Sequence, residues 1–283
     1  MTTAYGIKRN GYFKVILTLT LPLALLVTTV SSVGIFSNTF YAKEALSWQV
    51  QSIGQDIIDL VLIVPLLLVT ALLSSKLRVI GVWLWGGVIL YLIYTFVIYS
   101  FDVHFNKLFI AYCLTLGLSF YAFLHFMYIQ IKEPVKIEIT NTARKVIGTY
   151  FITIATLFYI LWLSEIVPAV IHDTTPKTLL DAGLPTNPVH VIDLAVFLPG
   201  IFITGILLIK NIKPGLILTP VMLMFFVLMD ITIASLNAMM QQKGLEGSVY
   251  VSFVMVALAL ISLVLLIWYS TAMKNLNNEH EKF

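Results

Sequence analysis

Twice in this chain a long apolar run opens on the same acidic signature. Asp56-Ile57-Ile58-Asp59-Leu60 recurs, 134 positions later, as His190-Val191-Ile192-Asp193-Leu194. The same offset carries Pro65 onto Pro199, Thr70 onto Thr204, Lys76 onto Lys210 and Gly81 onto Gly215. Apolar coincidences between membrane segments mean little, because such segments draw on few residue types. A carboxylate is different, since hydrocarbon is a costly place to keep one. The repetition predicts an all-α transmembrane bundle of about eight spans, built as a parallel 4+4 internal repeat. Residues 13–131 and 144–270 are the two four-helix copies, and 271–283 form a short cytoplasmic tail.

Composition agrees with a single membrane domain over 1–283. Of the 283 residues, 59% are hydrophobic and 11% charged, against roughly 25% charged in ordinary soluble domains. Eight apolar runs can be marked, at about 15–36, 55–75, 79–101, 108–131, 146–168, 189–209, 215–237 and 249–270. The first is too long for the ~7–15-residue core of a signal peptide. Its basic-apolar start, Lys14-Val15-Ile16, is also matched by Lys145-Val146-Ile147, so it reads as a retained span. Cys113 is the sole cysteine, which leaves no internal disulfide and no cysteine metal knuckle.

The net charge of +3 comes from basic residues in short clusters between apolar runs, a topology signal and not a nucleic-acid one. With the N-terminus inside, the inner side holds Lys8, Arg9, Lys14, Lys76, Arg78, Lys132, Lys136, Arg144, Lys145, Lys210, Lys213, Lys274 and Lys282. The outer side holds Lys43, Lys107, Lys177 and Lys243. Cytoplasmic loops carry the basic excess, so both termini are expected in the cytoplasm. An even number of spans per copy makes the repeat parallel, not inverted. Pro65 and Pro199 should bend the second and sixth spans at one depth. Trp83, Trp85, Trp268 and Tyr269 read as an interfacial aromatic belt.

Given that orientation, the polar residues gather toward the outer side. Asp56 and Asp59 open the second span, His190 and Asp193 the sixth, and a spacing of three puts each pair on one helix face. Glu165 closes the fifth span, His104 follows the third, and Asp230 lies ~14 residues into the seventh, ~21 Å from its inner end at 1.5 Å per residue and so within its outer third. Tyr91, Tyr94 and Tyr99 on the third span, with Tyr121 on the fourth, offer hydroxyls. The candidate binding pocket is therefore Asp56, Asp59, His190, Asp193, Asp230, Glu165, His104 and Tyr94. Should a divalent metal be the cofactor, Asp56, Asp59, His190 and Asp193 are its ligands, an oxygen-rich set suited to Mg²⁺ or Mn²⁺. Each residue also has a plainer reading. Asp56 and His190 serve as helix caps, first-turn acids suit the helix dipole, and His125 is a hydrogen-bonded interior histidine.

Several classes are excluded by what the sequence lacks: no phosphate-binding Gly-rich loop, no His-Glu-x-x-His helix, no Gly-x-Ser-x-Gly elbow. Gly54-Gln55-Asp56 opening a span that contains Pro65, followed by Tyr94, Tyr99 and Asn106, resembles a group of uncharacterised bacterial multipass proteins. The resemblance implies a bacterial cytoplasmic membrane and no particular chemistry. Three functions stay open. The first is transport or binding of a small solute or ion in an outward-facing acidic pocket between the repeats. The second is a membrane-embedded enzyme acting on a lipid-like substrate at the outer leaflet. The third is a scaffold or accessory subunit whose polar residues lock helices together.

Overall fold

In a computed structural model the chain is described over residues 2–75, 79–132, 138–245 and 247–280. Lys76, Arg78, Lys136 and Lys282 lie outside the described residues, as do the side chains of Lys8, Arg9 and Lys274. All regular secondary structure among the described residues is helical, with no strand. Among the described residues eight helices are long and apolar enough to cross a membrane: Lys14–Phe36, Leu46–Ser74, Val79–Asp102, Phe109–Lys132, Asn141–Ile171, Pro188–Ile209, Lys213–Gln242 and Val249–Met273. By element these are α1 (Thr2–Phe36), α2 (Leu46–Ile58) with α3 (Val64–Ser75), α4 (Val79–Asp102), α5 (Phe109–Lys132) and α6 (Asn141–Ile171). The short α7 (Lys177–Ala182) follows, then α8 (Pro188–Ile192) with α9 (Leu198–Ile209), α10 (Lys213–Gln242) and α11 (Val249–His280).

The bundle is centred on α4 and α10. Their apolar windows are 72% buried, whereas that of α6 is 6% buried. These two pack on each other; α3 and α5 pack on α4, while α9 and α11 pack on α10. Missing side chains permit the close approach. A Cβ on Gly87 of α4 would fall 2.6 Å from the Met224 Cβ and 2.9 Å from the Val221 carbonyl oxygen of α10.

Trp83, Trp85 and Tyr269 are completely buried, so the belt expected of them is corrected. The Trp83 indole donates to Gln130 Oε1 at 3.0 Å, that of Trp85 to Thr20 Oγ1 at 2.9 Å, and the Tyr269 hydroxyl to the Leu216 carbonyl. A buried Trp or Tyr is stable once its polar tip has a partner. Those partners lie 47, 65 and 53 residues away, beyond the reach of local pattern.

The second span starts earlier than its hydropathy suggests. Its helix begins at Leu46, because Gln49, Gln51, Ser52 and Gln55 are polar on a helix that is nonetheless continuous. Asp56 therefore lies ten residues into the helix, about 15 Å from its start at 1.5 Å per residue. In the sixth span Asn187 stops any such extension. Its Oδ1 accepts from the Val189 and His190 backbone amides, with Pro188 at the first helical position, where a missing N–H costs nothing. Asn187 is thus the cap there and Ala45 the cap position of α2, and neither Asp56 nor His190 caps a helix.

Both acidic spans widen at the same place. A five-residue π-helical stretch runs Asp59–Ile63 in one and Asp193–Phe197 in the other. The Val64 amide reaches back to the Asp59 carbonyl, and that of Leu198 to Asp193. Proline explains the position: its ring clashes with the carbonyl four residues earlier. For Pro65 and Pro199 that residue is Val61 and Ala195, each at the centre of its widened stretch. The paired prolines thus coincide with paired π-bulges, a frequent feature of functional sites.

Candidate functional site

Asp56 is fully buried between three elements. Tyr41, in the connection after α1, donates to Oδ2 at 2.7 Å, and Tyr99 of α4 donates to Oδ1 at 2.8 Å. Gly34 of α1 makes room, since a Cβ there would sit 1.7 Å from Asp56 Oδ2. Tyr41 lies outside the spans. Burial, and after it the neighbouring Asp56 carboxylate, pushes its phenol above the ordinary value, so Tyr41 is a neutral donor.

Asp59, one turn deeper, is 1% exposed. Gln55 Nε2 donates to its Oδ1 at 2.9 Å and Tyr91 donates to the same oxygen at 3.2 Å. Gln55 also donates to the Tyr91 hydroxyl at 2.7 Å, and that hydroxyl meets Thr232 Oγ1 of α10 at 2.9 Å. Among the described residues Asp59 Oδ2 has no hydrogen-bond partner. The network joins α2, α4 and α10 across the centre of the bundle. Gln55, four residues before Asp59, was readable as a same-face pair. Thr232, 141 residues from Tyr91, carries no local signal.

The second acidic pair has a different environment. Trp162 of α6 donates its indole N–H to Asp193 Oδ2 at 2.8 Å, and its ring lies 4.5 Å from that of His190. Tyr94 of α4 approaches Asp193, and its ring meets Phe197 edge-on at 4.9 Å. Asp230 of α10 shares with Asp193 the lining of a small cavity of about 60 Å³. Beside it lies a larger cavity of about 320 Å³ between α2, α4 and α10. Gln51, Ser52, Gln55, Thr95, Thr232 and Asn237 contribute to its polar lining, and among the described residues none that borders it is charged. Tyr94, Met229 and Ile233 border both cavities.

The expected single pocket is accordingly divided. Asp193, Asp230 and Tyr94 come together, whereas Asp56 and Asp59 sit behind Tyr99, Tyr91 and Gln55 and line neither cavity. His104 pairs with Glu44, its Nδ1 2.8 Å from Oε2 and its backbone amide 2.8 Å from Oε1. Glu165 accepts from the Thr178 hydroxyl at an exposed position. Tyr121 is 67% exposed and turned away from the interior.

The proposed metal set also needs correction. Among the described residues no three His, Cys, Asp or Glu side chains gather as metal ligands. The reason is topological: α2 packs on α10 and α8 packs on α4, so the central helices separate the two acidic faces. No protein-family model matches the chain, and no curated protein or solved structure is detectably similar to it.

Proposed function

We propose that this multipass membrane protein binds a small solute in the cavity between α2, α4 and α10 and passes it across the bilayer. The observation that carries the reading is the cavity itself. About 320 Å³ stands open beside the two most buried helices, where helices in a static bundle interdigitate to near-crystalline density. Its size falls at the lower end of ligand sites, ~300–1,000 Å³. Its mixture of apolar walls with amide and hydroxyl groups suits an amphipathic ligand body. A scaffold needs polar contacts but no such space, and interhelical polar contacts average only ~0.6 kcal/mol.

The test uses the purified full chain in an uncharged detergent and a panel of small amphipathic solutes. Those that bind should raise the unfolding temperature saturably. A Thr95→Trp variant, which fills the cavity from α4, should lose the response while keeping its own cooperative unfolding. Equal responses from both proteins, or none from the unmodified chain, would overturn the reading.

Two further elements belong to this proposal. The first is the 4+4 repeat, with residues 13–131 and 144–270 as its copies. Both π-bulges support it, as do the paired hydrogen bonds Thr70 to Leu66 and Thr204 to Gly200, each 2.7 Å. Gly81 packs on the backbone at Leu73 and Ser74, and Gly215 on that at Leu207 and Leu208; all these pairs differ by the same 134 positions. The second is placement in a bacterial cytoplasmic membrane with both termini inside, supported by the basic-residue asymmetry. In that orientation Asn237 and Trp48 mark the outward end of the cavity.

A further inference from the structure

The smaller cavity differs from the larger in chemistry. It combines two carboxylates, Asp193 and Asp230, with walls of aromatic rings that include Tyr94, Tyr150, Phe197 and Phe226. Asp193 already receives the Trp162 indole N–H. Asp230 is 8% exposed and faces this space, and among the described residues it has no hydrogen-bond donor. A buried carboxylate without donor or counter-charge is costly to keep. The Tyr94 hydroxyl is engaged by Asp193 and that of Tyr150 meets Ser262 Oγ at 2.8 Å, which leaves the ring faces, and these attract cations. We propose that this cavity is a subsite for an organic ammonium group, and that the solute bound by the protein is an amine or quaternary ammonium compound.

Donor count separates this from a metal site. A hard divalent cation requires about six oxygen ligands, and the walls here are mostly carbon. An alkylammonium requires charge balance and polarizable faces, both of which are present. Size agrees as well. About 60 Å³ exceeds the ~10–15 Å³ that holds one water on the same measure and suits a compact head group. Tyr94, Met229 and Ile233 border both spaces, so a ligand with its head between Asp193 and Asp230 directs its uncharged remainder into the larger cavity. This inference rests on the proposed solute-binding function and names its substrate class.

The experiment is calorimetric titration of the purified full chain with choline and with its uncharged isostere 3,3-dimethylbutan-1-ol. Tetramethylammonium and butyltrimethylammonium form a second pair. Choline should bind at least tenfold more tightly than its isostere. Asp230→Asn should remove that preference, and Glu165→Gln, at an exposed position outside both cavities, should retain it. The butyl extension should tighten binding several-fold, and Thr95→Trp should abolish that gain. Equal binding of choline and isostere by the unmodified chain overturns the inference even if the aspartate variants do not fold. A preference that survives both Asp230→Asn and Asp193→Asn also overturns it, by placing the cation elsewhere. If charge preference holds but Thr95→Trp leaves the butyl gain intact, the ammonium subsite stands and the larger cavity loses its role. Binding of neither pair removes both.

Discussion

Asp56 shows how much one residue depends on contacts far away in the chain. Its two oxygens are each held by a tyrosine hydroxyl, one 15 and the other 43 residues distant. Tyr99→Phe leaves Oδ1 without its 2.8 Å donor, and an unpaired buried polar group costs about 1–3 kcal/mol. Urea or thermal unfolding of the purified variant should show a loss of that order, and Asp56→Asn should recover part of it in the Tyr99→Phe background. Tyr41 predicts a pH dependence. Its phenol titrates higher in the folded chain than the ordinary 10.0, so folding favours the protonated form. The stability this adds is complete below pH 10 and drains away as the pH rises beyond it. Alkaline unfolding curves should fall more gently for Tyr41→Phe than for the unmodified protein; identical slopes would remove Tyr41 from the account.

Helices in this protein meet through specific close approaches, and the glycines that permit them give a sharp test. A Cβ on Gly81 would sit 2.7 Å from the Leu73 carbonyl carbon and the Ser74 nitrogen, and one on Gly215 2.5 Å from Leu207 and 2.4 Å from Leu208 at the same backbone atoms. Backbone cannot step aside as a flexible side chain does. Gly81→Ala and Gly215→Ala should each destabilise by about 1–3 kcal/mol, the usual cost of overpacking. Among the described residues nothing lies within 4 Å of a Cβ added at Gly117 or Gly200. Alanine there should be neutral or gain about 0.5–1 kcal/mol from reduced backbone freedom. Thermal unfolding of the four variants side by side decides it, and a similar loss at all four would contradict the packing argument.

For the whole molecule the accessible prediction is topological. Single cysteines in a Cys113→Ser background should react with an impermeant thiol reagent from outside at positions 43, 181 and 243. Positions 210 and 213 should react only from inside. Outside labelling at position 213 would reverse the proposed orientation. The background change is mild because Cys113 is exposed on α5.

Much of the architecture was legible because hydrocarbon imposes a strict rule: each spanning segment must satisfy its own backbone, so apolar length alone predicts a helix. Eight spans were visible that way, and the paired prolines, read as bends, mark where the π-bulges fall. Helix ends were less legible: the polar first turns of α2 read as loop until their packing against α10 was known. What only the tertiary structure decided is which side chains meet across helices. Hydropathy records how apolar a residue is and not the direction it faces. Trp83, Trp85 and Tyr269 therefore read as interfacial although they are core residues, and one acidic site was expected where the central pair α4 and α10 holds the acids apart. The division into a neutral cavity and an acidic aromatic one depends on contacts such as Tyr91 with Thr232, 141 residues apart. Their geometry is set by how whole helices pack, which no local pattern encodes.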